Sequence, residues 1–491
     1  ADGFRHELEK EFSAVYVFNL RGNQRTSGEL SRREGGKIFG SGSRTPVAIT
    51  LLIKKPGHTG KAQIFYHDIG DYLTREEKLH KVKTFADYAV MPWEQLHPNE
   101  HNDWINQRCG DFDDFVPLND GDTAIFCMRS GGLKTNRDAW CYNFSNEQLT
   151  STMKDMIDCY NQYIGSYTEK NVDNLIAISA HRIKWTVNLQ LYFYKNIVCS
   201  FYKDHIVKSL YRPFQKQCVY FDSMLNERPG RQPSIFPTAN HKNLAIVVPG
   251  VGGRKDFNCI LVNVLPDLYM QEGGQCFPLY YYERNEPKGK TTEQGFLIPQ
   301  KSKPKQLGLP LPKTVTEEYT RKDAITDAGL EHFQTHYEDN RITKEDLFYY
   351  VYGILHSPKY REKYAADLKK MLPRVPLAPD FWGFSKAGRE LAHWHLDYEQ
   401  VEPWPVEEER KPQGDMDDFT YYHVEKMRFP KKGERGTIIY NGNITFKGIP
   451  LEAYDYVVNG KSALNWIMER YAITTDKDSG IRNDPNDWCR E

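Results

Sequence analysis

Clustered basic residues give the strongest chemical signal in the sequence. The segment from Arg21 to Lys61 holds nine Arg or Lys residues against two Glu residues, and six glycines lie between positions 22 and 42. Guanidinium groups and exposed backbone N–H groups bind phosphate oxygens, and glycine lets a backbone approach a ligand closely. The pattern indicates a phosphate or nucleic-acid contact, with a solvated flexible loop as the alternative. The candidate contacts are Arg21, Asn23, Arg25, Arg32, Arg33, Lys37 and Arg44.

Two motifs further along the chain, in residues 131–140 and 211–231, mix basic and amide side chains with aromatic rings. Arg pairs bidentately with the edge of guanine, and Asn or Gln pairs with adenine. Aromatic rings stack on unpaired bases or brace a guanidinium group. The alternative is structural, because the same Arg side chains could pair with buried carbonyl groups. The candidate contacts are Lys134, Asn136, Arg137, Arg212, Gln215, Arg228 and Arg231.

Metal-dependent and nucleophilic chemistry find little support in the sequence. A metal-dependent nuclease needs a carboxylate on one strand and Glu-x-Lys on the next. Asp267 is followed by Glu272 without the lysine, and Glu76–Lys78 lies in a helix-like charge run. His393 and His395 are two positions apart, which does not suit joint ligation from one helix face. No nucleophile-elbow pattern occurs, so we predict neither a catalytic residue nor a metal site.

The first 100 residues have the pattern of the far edge of an α/β sheet. Phe4, Leu8 and Phe12 recur every four residues, which predicts an amphipathic helix. No strand leads through a glycine-rich turn into a helix, so the nucleotide-binding half of such a sheet is missing. The remaining predicted elements are strands over residues 15–20, 47–53 and 62–68, a polar loop over 21–45 and a helix over 74–85.

From about residue 110, short strands alternate with turns and helices, which is typical of a mixed α+β region. Thr343 and Asp346 suit a capping box at the start of a helix. Residues 286–313 are basic and rich in proline, which favours a long surface loop. The predicted strands cover residues 124–128, 197–202, 218–221, 244–248 and 276–282, and the predicted helices cover 146–163, 344–356, 358–371, 386–398 and 462–471.

Composition excludes several classes of protein. The 65 Lys and Arg residues nearly balance the 66 Asp and Glu residues, so a nucleic-acid surface must be a local patch. Nine cysteines without a CxxC pair favour a reducing, cytoplasmic location. The longest apolar run, residues 47–53, is far shorter than the ~20 residues of a membrane span. The sequence opens within a predicted helix and without a signal peptide, so we expect a piece of a longer protein.

Several of these motifs resemble those of type ISP restriction–modification enzymes. Such enzymes combine a nuclease, a helicase-like motor, an adenine-N6 methyltransferase and a C-terminal target recognition domain in one chain. The resemblance extends over essentially the whole sequence. The similar stretches are residues 15–55, GLKTNRDAW (132–140), YRPF (211–214), NERPG (226–230), QCFPLY (275–280), LHSPKYR (355–361), NGKSALNW (459–466), SGI (479–481) and NDP (483–485).

The resemblance implies a fold in two parts. Residues 1–100 would form the C-terminal edge of a Rossmann-like methyltransferase sheet. Residues 101–491 would form a mixed α+β target recognition domain, with a helical part near residues 343–400. The family's nuclease and helicase motifs, its S-adenosylmethionine loop and its Asn-Pro-Pro-Tyr motif do not occur in this sequence. The chain alone is therefore predicted to be inactive, with S-adenosylmethionine bound only by the complete enzyme.

The function implied by the resemblance is sequence-specific recognition of double-stranded DNA that presents one adenine for N6 methylation. Enzymes that modify a base flip it out of the duplex. Phe39 is the candidate for stacking on the flipped adenine, with a hydrophobic anchor for the loop as the alternative. The implied partners are double-stranded DNA and the missing methyltransferase, helicase and nuclease portions, in cis or in trans, without a membrane. Two alternatives stay open, namely a non-catalytic module or remnant that needs a partner chain, and a surface that binds carbohydrate or single-stranded RNA.

Overall fold

The structure is a computed structural model that describes residues 2–26, 28–40, 42–166, 172–285 and 319–489. The basic loop predicted over residues 286–313 lies outside the described residues. The chain divides into two compact units, each described separately below. Unit 1 comprises Ala1–Phe115, Arg254–Asp256 and Pro358–Pro373, and unit 2 comprises Val116–Gly253, Phe257–Ser357 and Arg374–Glu491. The predicted division at residue 100 stays a prediction.

The described residues form a mixed α+β fold with several small sheets, as predicted. The helices are α1 (Asp2–Glu11), α2 (Gly28–Glu34), α3 (Arg75–Phe85), α4 (Asp138–Cys141), α5 (Asn146–Gln162), α6 (Val172–Ser179), α7 (Val187–Tyr194), α8 (Gln232–Ile235), α9 (Asp327–Tyr337), α10 (Lys344–His356), α11 (Pro358–Lys363), α12 (Ala365–Lys370), α13 (Phe381–Leu396), α14 (Asp418–Tyr422) and α15 (Ala463–Arg470).

The strands are short outside the first hundred residues. They are β1 (Ala14–Arg21), β2 (Val47–Ile53), β3 (Gln63–Asp68), β4 (Glu94–Leu96), β5 (Val116–Pro117), β6 (Ser130–Gly131), β7 (Tyr142–Asn143), β8 (Ile206–Arg212), β9 (Gln215–Tyr220), β10 (Ala245–Val248), β11 (Ile260–Val262), β12 (Leu265–Pro266), β13 (Gln275–Pro278), β14 (Tyr280–Arg284), β15 (Tyr319–Asp323), β16 (Arg374–Val375), β17 (Glu407–Arg410), β18 (Ile438–Ile439), β19 (Ile444–Lys447), β20 (Val457–Val458), β21 (Lys461–Ser462), β22 (Thr474–Thr475) and β23 (Arg482–Asn483).

A four-stranded sheet in the order β2-β1-β3-β4 organises unit 1. Strand β1 runs parallel to β3 and antiparallel to β2. Successive side chains of a strand point to opposite faces, and Val15 therefore packs in a cluster with Ile64, whereas Phe18 and Leu20 pack with Ile69 in another. Apolar residues on both faces of β1 make it an interior strand of this sheet.

The edge strand β2 is composed like an interior strand but is exposed. Its sequence is Val-Ala-Ile-Thr-Leu-Leu-Ile, a continuous apolar run of the kind found in strands covered on both faces. Its five central residues are nevertheless exposed, including Ile49, Leu51 and Leu52. The apolar groove beside it, of about 380 Å³, is lined by Phe4 and Leu8 of the predicted amphipathic helix. Unit 1 thus presents an uncovered apolar strand and groove.

Unit 2 contains a large hydrophobic core and several sheets. Two four-stranded sheets, β11-β10-β13-β6 and β12-β8-β9-β7, contribute most of their apolar side chains to that core together with α5. Ser145 caps α5 by accepting a hydrogen bond from the Gln148 backbone N–H. A separate three-stranded sheet, β17-β19-β18, lies over a smaller apolar cluster that includes Ile438 and Tyr454.

Helices α10 and α13 pack closely because glycines lie at their contact. A Cβ at Gly353 would come within 2.3 Å of the Phe384 carbonyl oxygen, and a Cβ at Gly388 within 1.9 Å of the Tyr349 carbonyl oxygen. The predicted capping box of α10 is confirmed, since Thr343 and Asp346 satisfy each other's backbone N–H groups.

Most predicted elements are confirmed, and the exceptions are few. Residues 124–128 and 197–202 are not strands; Phe126 is fully buried but pairs with Ile325 only through an isolated bridge. The polar loop predicted over residues 21–45 contains helix α2. The helix predicted over residues 358–371 is divided into α11 and α12 at Tyr364. Helix α13 begins earlier than predicted, because Asp380 caps it.

In the part of the chain that the structure describes, no helix is both long and apolar enough to cross a membrane.

Candidate nucleic-acid interface

The basic segment, residues 21–61 of unit 1, begins at an irregularity in β1. The pairing register between β1 and β2 shifts between Asn19 and Arg21, and Arg21 has a left-handed φ of 56°. The Arg21 guanidinium lies 2.7 Å from a carboxylate oxygen of Asp68 and also pairs with Asp71. Arg21 is therefore held half-buried at the end of the strand and is committed to two acids within its own unit.

Asp71 also binds a second candidate residue, Arg33, whose guanidinium lies 3.2 Å away. Partial desolvation acts to raise the pKa of Asp71, but hydrogen bonds from Arg21 and Arg33 outweigh it and lower that pKa. Neither Asp68 nor Asp71 lies within residues 21–61, so the excess of positive charge in the basic segment does not include them. They reduce the positive charge that Arg21 and Arg33 can offer to a ligand.

A buried lysine fixes the turn that follows α2. Lys78 of α3 is fully buried, and its Nζ donates hydrogen bonds to the carbonyl oxygens of Glu34 (2.7 Å) and Gly36 (2.8 Å). Burial lowers the pKa of Lys78. Gly35 has a φ of 68°, and a Cβ there would lie 2.1 Å from the Leu73 carbonyl oxygen. This glycine therefore serves internal packing, which differs from the predicted close approach to a ligand.

Several other candidates of the basic segment remain accessible. Arg25, Arg32 and Arg44 are exposed, and Lys37 and Asn23 are half-buried. Within the described ranges, neither Arg25 nor Lys37 forms an ion pair. Such groups can approach a phosphate without first losing a partner. Phe39 is 58% exposed, although the adjacent Ile38 packs in the apolar cluster of this unit.

In unit 2, backbone pairing brings the two Arg- and Asn-containing motifs together. The backbones of Lys134 and Arg228 exchange hydrogen bonds of 3.2 and 2.9 Å. Leu133 pairs in the same way with Pro266 and Leu268 at 2.8 Å. Residues distant in the sequence thereby meet beside a polar pocket of about 240 Å³. The polar pocket is lined by Lys134, Thr135, Asn136, Asp138, Asp267 and Tyr269.

Arg212 binds one of the acids that line the polar pocket. Its Nη1 donates to Asp267 at 2.5 Å and to the Tyr211 carbonyl oxygen at 2.6 Å, and its guanidinium stacks 3.9 Å above the Tyr211 ring. Asp138 accepts a hydrogen bond from the Tyr211 hydroxyl at 2.9 Å. Burial raises the pKa of Asp267 to about 7, although Arg212 opposes the change. The side chain of Arg212 thus holds the acids of the pocket, Asp267 and Asp138, in place.

Two of the candidates in unit 2 are buried structural residues. Arg137 is 2% exposed and donates hydrogen bonds to the Leu225 carbonyl oxygen (2.7 Å) and to Thr186 Oγ1 (2.6 Å). Gln215 is 3% exposed and donates to the Arg470 carbonyl oxygen. Their burial favours the structural alternative over direct contact with bases. Asn136, Arg228 and Arg231 are exposed, and Lys134 is half-buried.

The residues that position these candidates were not predicted to have that role. Asp68, Asp71 and Lys78 do so in unit 1, and Asp138 and Asp267 do so in unit 2. The local signal was an acid at the end of a strand: Asp68 is the last residue of β3, and Asp267 directly follows β12. Within the described residues, no group of three or more His, Cys, Asp or Glu side chains is arranged to hold a metal ion.

A family comparison identifies the larger part of the chain. The sequence profile of the type ISP C-terminal specificity domain matches residues 124–491, which is most of the protein. The chain belongs to this type ISP family. The predicted resemblance is thereby confirmed. The match includes the polar pocket and both motifs beside it, so these features lie within the type ISP specificity domain. A search of curated proteins finds no match.

Solved type ISP structures resemble nearly the whole chain. A nuclease-deletion mutant of the type ISP enzyme LlaGI, in complex with a DNA substrate mimic, is 38% identical with a TM-score of 0.81 over 99% of this chain. The ATP-dependent type ISP enzyme LlaBIII bound to DNA is 35% identical, with a TM-score of 0.83 over 99%. A DrdV–DNA complex is 32% identical, with a TM-score of 0.78 over 97%. The type ISP chain described here spans 35%, 30% and 45% of those chains, respectively.

Proposed function

We propose that this type ISP chain recognises a specific sequence in double-stranded DNA for a restriction–modification system. The supporting observation is its 38% identity, over 99% of its length, to an enzyme whose structure is in complex with a DNA substrate mimic. The exposed cations of both units suit such a ligand. Contacts to phosphates provide affinity and salt dependence, whereas contacts to base edges provide specificity.

The two sets of candidates have different roles in this proposal. Arg25, Arg32 and Arg44 of the basic segment neutralise phosphates, because they are exposed. Around the polar pocket, the exposed Asn136 and Arg228 are the base-reading candidates, since Asn pairs with adenine and Arg with guanine. Arg212 positions these residues through Asp267 and does not itself touch DNA.

The recognised sequence contains an adenine that is presented for N6 methylation, and the methylating site belongs to a portion outside this chain, in cis or in trans. S-adenosylmethionine would supply the methyl group there. The described residues do not suit that cofactor, because they lack a glycine-rich turn that joins a strand to a helix and cradles a nucleoside. Gly35, in the glycine-rich segment, packs instead against Leu73. The chain alone is accordingly inactive.

The sheet of unit 1 is, in this proposal, the C-terminal edge of a Rossmann-like methyltransferase sheet. The exposed apolar strand β2 and the groove beside it support the assignment, because both have the composition of buried surface. In the complete enzyme, Leu51→Lys should abolish methylation by placing a charge in that interface. The same substitution in the present chain should leave its unfolding free energy almost unchanged, because Leu51 is already exposed. A fully active complete enzyme would contradict the assignment.

Phe39 is the candidate for stacking on the flipped adenine. Its ring is exposed, and Ile38 anchors the backbone beside it. In the complete enzyme, Phe39→Ala should reduce methylation far more than DNA binding, whereas Phe39→Tyr should retain both. Equal losses of methylation and binding in Phe39→Ala would remove this role.

The first experiment is selection of a randomised duplex DNA library by this chain, with excess non-specific competitor DNA at near-physiological salt. Enrichment of one asymmetric sequence that contains adenine would support the proposal. Salt-sensitive binding without enrichment would assign specificity to the missing portions. Preference for single-stranded RNA, or no binding by a folded sample, would contradict DNA recognition by this chain and favour the alternatives.

A further inference from the structure

The three-stranded sheet β17-β19-β18 of unit 2 separates charge between its two edges. Edge strand β17 has the sequence Glu-Glu-Glu-Arg, and all four residues are exposed. The opposite edge strand, β18, adjoins a basic segment, in which Arg428 exchanges backbone hydrogen bonds of 3.0 and 2.9 Å with Ile439. Neighbouring strands are spaced by roughly 5 Å, so the acidic strand and this basic segment, which are three spacings apart, are separated by roughly 15 Å across the sheet.

Successive side chains of this segment point to opposite faces, and this places its cations on the solvent side. Met427 and Phe429 pack against the apolar cluster beneath the sheet. The intervening Arg428 and the preceding Lys426 are exposed. Lys431 and Lys432 follow in an exposed turn. The basic side chains are therefore presented by a backbone that is anchored on its inner face.

A groove of about 520 Å³ lies beside this segment, and we call it the basic groove. Its lining includes His423, Glu425, Lys426, Arg428, Ile439 and Asn441. The Asn441 side-chain amide donates to the carbonyl oxygens of Tyr421 and His423 at 2.9 and 3.0 Å, which shapes the groove from within.

The cations that line the basic groove, and the lysines of the exposed turn after it, differ in their pairing from other cations of the same sheet. In the regions that the structure describes, Lys426, Arg428, Lys431 and Lys432 form no ion pair, in contrast to Arg410 and Lys447 of the same sheet, which pair with Glu408 and Glu409. Unpaired exposed cations attract mobile counter-ions, and binding of a polyanion releases those ions with a gain in entropy. The acidic strand β17 repels the same polyanion and orients the sheet.

We propose that the basic groove and the exposed turn that follows it form a second, sequence-independent contact to the phosphate backbone of duplex DNA. Lys426 and Arg428 of the groove and Lys431 and Lys432 of the turn make this contact. This inference rests on the proposed DNA recognition. It adds an affinity site that is distinct in sequence and structure from the basic segment of unit 1 and from the polar pocket.

The test measures binding of one duplex of fixed sequence to the full chain across a series of salt concentrations. The double variant Lys431→Ala/Lys432→Ala removes two exposed charges without touching the apolar cluster. The slope of log binding constant against log salt should become shallower by about 1 to 2, and binding should weaken by about tenfold or more at low salt. The loss should be the same for specific and unrelated duplexes.

Two further variants control for net charge and for folding. Lys195→Ala/Lys203→Ala removes the same charge from exposed positions elsewhere in unit 2 and should change the slope far less. Glu425→Gln removes the acid from the groove and should tighten binding, an effect that misfolding cannot produce. Equal slopes in the wild type and Lys431→Ala/Lys432→Ala, or equal effects of the two double variants, would overturn the inference while DNA recognition stands. Failure of the wild-type chain to bind any duplex would overturn both.

Discussion

The basic segment of unit 1 and the polar pocket of unit 2 use arginine in opposite ways. Arg25, which precedes helix α2, and Arg32, which lies in it, are exposed in the first. Arg212 in the second is locked to Asp267 at 2.5 Å and stacked on Tyr211. The two regions look alike in sequence, since both place Arg among Gly, Asn and polar residues. Burial, rather than residue type, separates arginines that can meet a phosphate from those that hold the backbone in position.

The difference has an energetic basis. An exposed guanidinium is well solvated, so removing it costs the fold little, while its attraction to phosphate is lost in full. A buried guanidinium has given up its water, and its removal leaves carbonyl or carboxylate oxygens without a donor. The comparison therefore predicts that stability and DNA affinity respond to different arginines.

The largest expected effect on stability is that of Arg212→Ala. It should lower the free energy of unfolding by about 3–5 kcal/mol, because Asp267 is then left buried without its partner. Chemical denaturation of the chain measures this loss. The double variant Arg212→Ala/Asp267→Ala should be less destabilised than the sum of the two single variants. Strict additivity would mean that the pair does not act as a unit.

Arg137→Ala should come next, with a loss of about 3 kcal/mol, since the Leu225 carbonyl oxygen and Thr186 Oγ1 lose a charged donor. Arg137→Met keeps most of the volume and serves as the matched variant, with a smaller loss expected. DNA affinity, measured where both variants are folded, should stay within about threefold of the wild type, because a buried side chain does not contact DNA. Altered sequence preference in a folded Arg137→Met protein would assign Arg137 to the interface after all.

A buried acid in unit 1 makes the stability of the fold depend on pH. Asp103 is 1% exposed, and Arg108 and Lys370 each lie 2.9 Å from it. Burial acts to raise the pKa of Asp103, but these cations outweigh it and hold that pKa well below its usual range. The resulting stabilisation is complete above about pH 4 and is lost as the pH falls further.

Asp103→Asn should therefore lower the free energy of unfolding at pH 7 on the order of 1–2 kcal/mol and flatten its decline below pH 4. Denaturation midpoints measured from neutral to acid pH test this expectation. The exposed Asp114→Asn is the control and should retain the wild-type decline. An unchanged acid response in Asp103→Asn would show that the cluster does not stabilise the folded state.

The smallest effect on stability belongs to the basic segment. Arg25→Ala and Arg32→Ala should change the free energy of unfolding by less than about 0.5 kcal/mol. Each should nevertheless make the salt slope of DNA binding shallower by about 0.9 and weaken binding to all sequences alike. Arg21→Ala is the contrasting variant, because its ion pairs with Asp68 and Asp71 predict a larger loss of stability than of salt slope. An effect of Arg25→Ala on one DNA sequence only would argue against a phosphate contact.

Local patterns predicted local structure well. The apolar run Val47–Ile53 gives β2 with the predicted bounds, and Thr343 caps α10, because both depend on neighbouring residues alone. The burial of Arg137 depends on Leu225 and Thr186, which are far away in the sequence, and no local pattern reports it.

The candidate site, too, was predictable only where it depends on neighbouring residues. The presence of basic and amide residues near Lys134 and Arg228 was predicted, but their meeting depends on a backbone pairing between distant segments. The acids Asp71 and Asp267, which decide which arginines remain available, lie outside the motifs, and their pairing with arginine was not predicted. The predictions were made from residue types, whereas the tertiary structure determines which side chains are free to contact a ligand.

The exposed strand β2 also bears on how the chain behaves at high concentration. An apolar strand at the rim of a sheet is a template for pairing with another copy, and such pairing can propagate into aggregates. The three residues that follow it are Lys54, Lys55 and Pro56. Charge repulsion between stacked copies and the missing N–H of proline are the features of gatekeeper residues. We therefore expect this triplet to limit self-association of the strand.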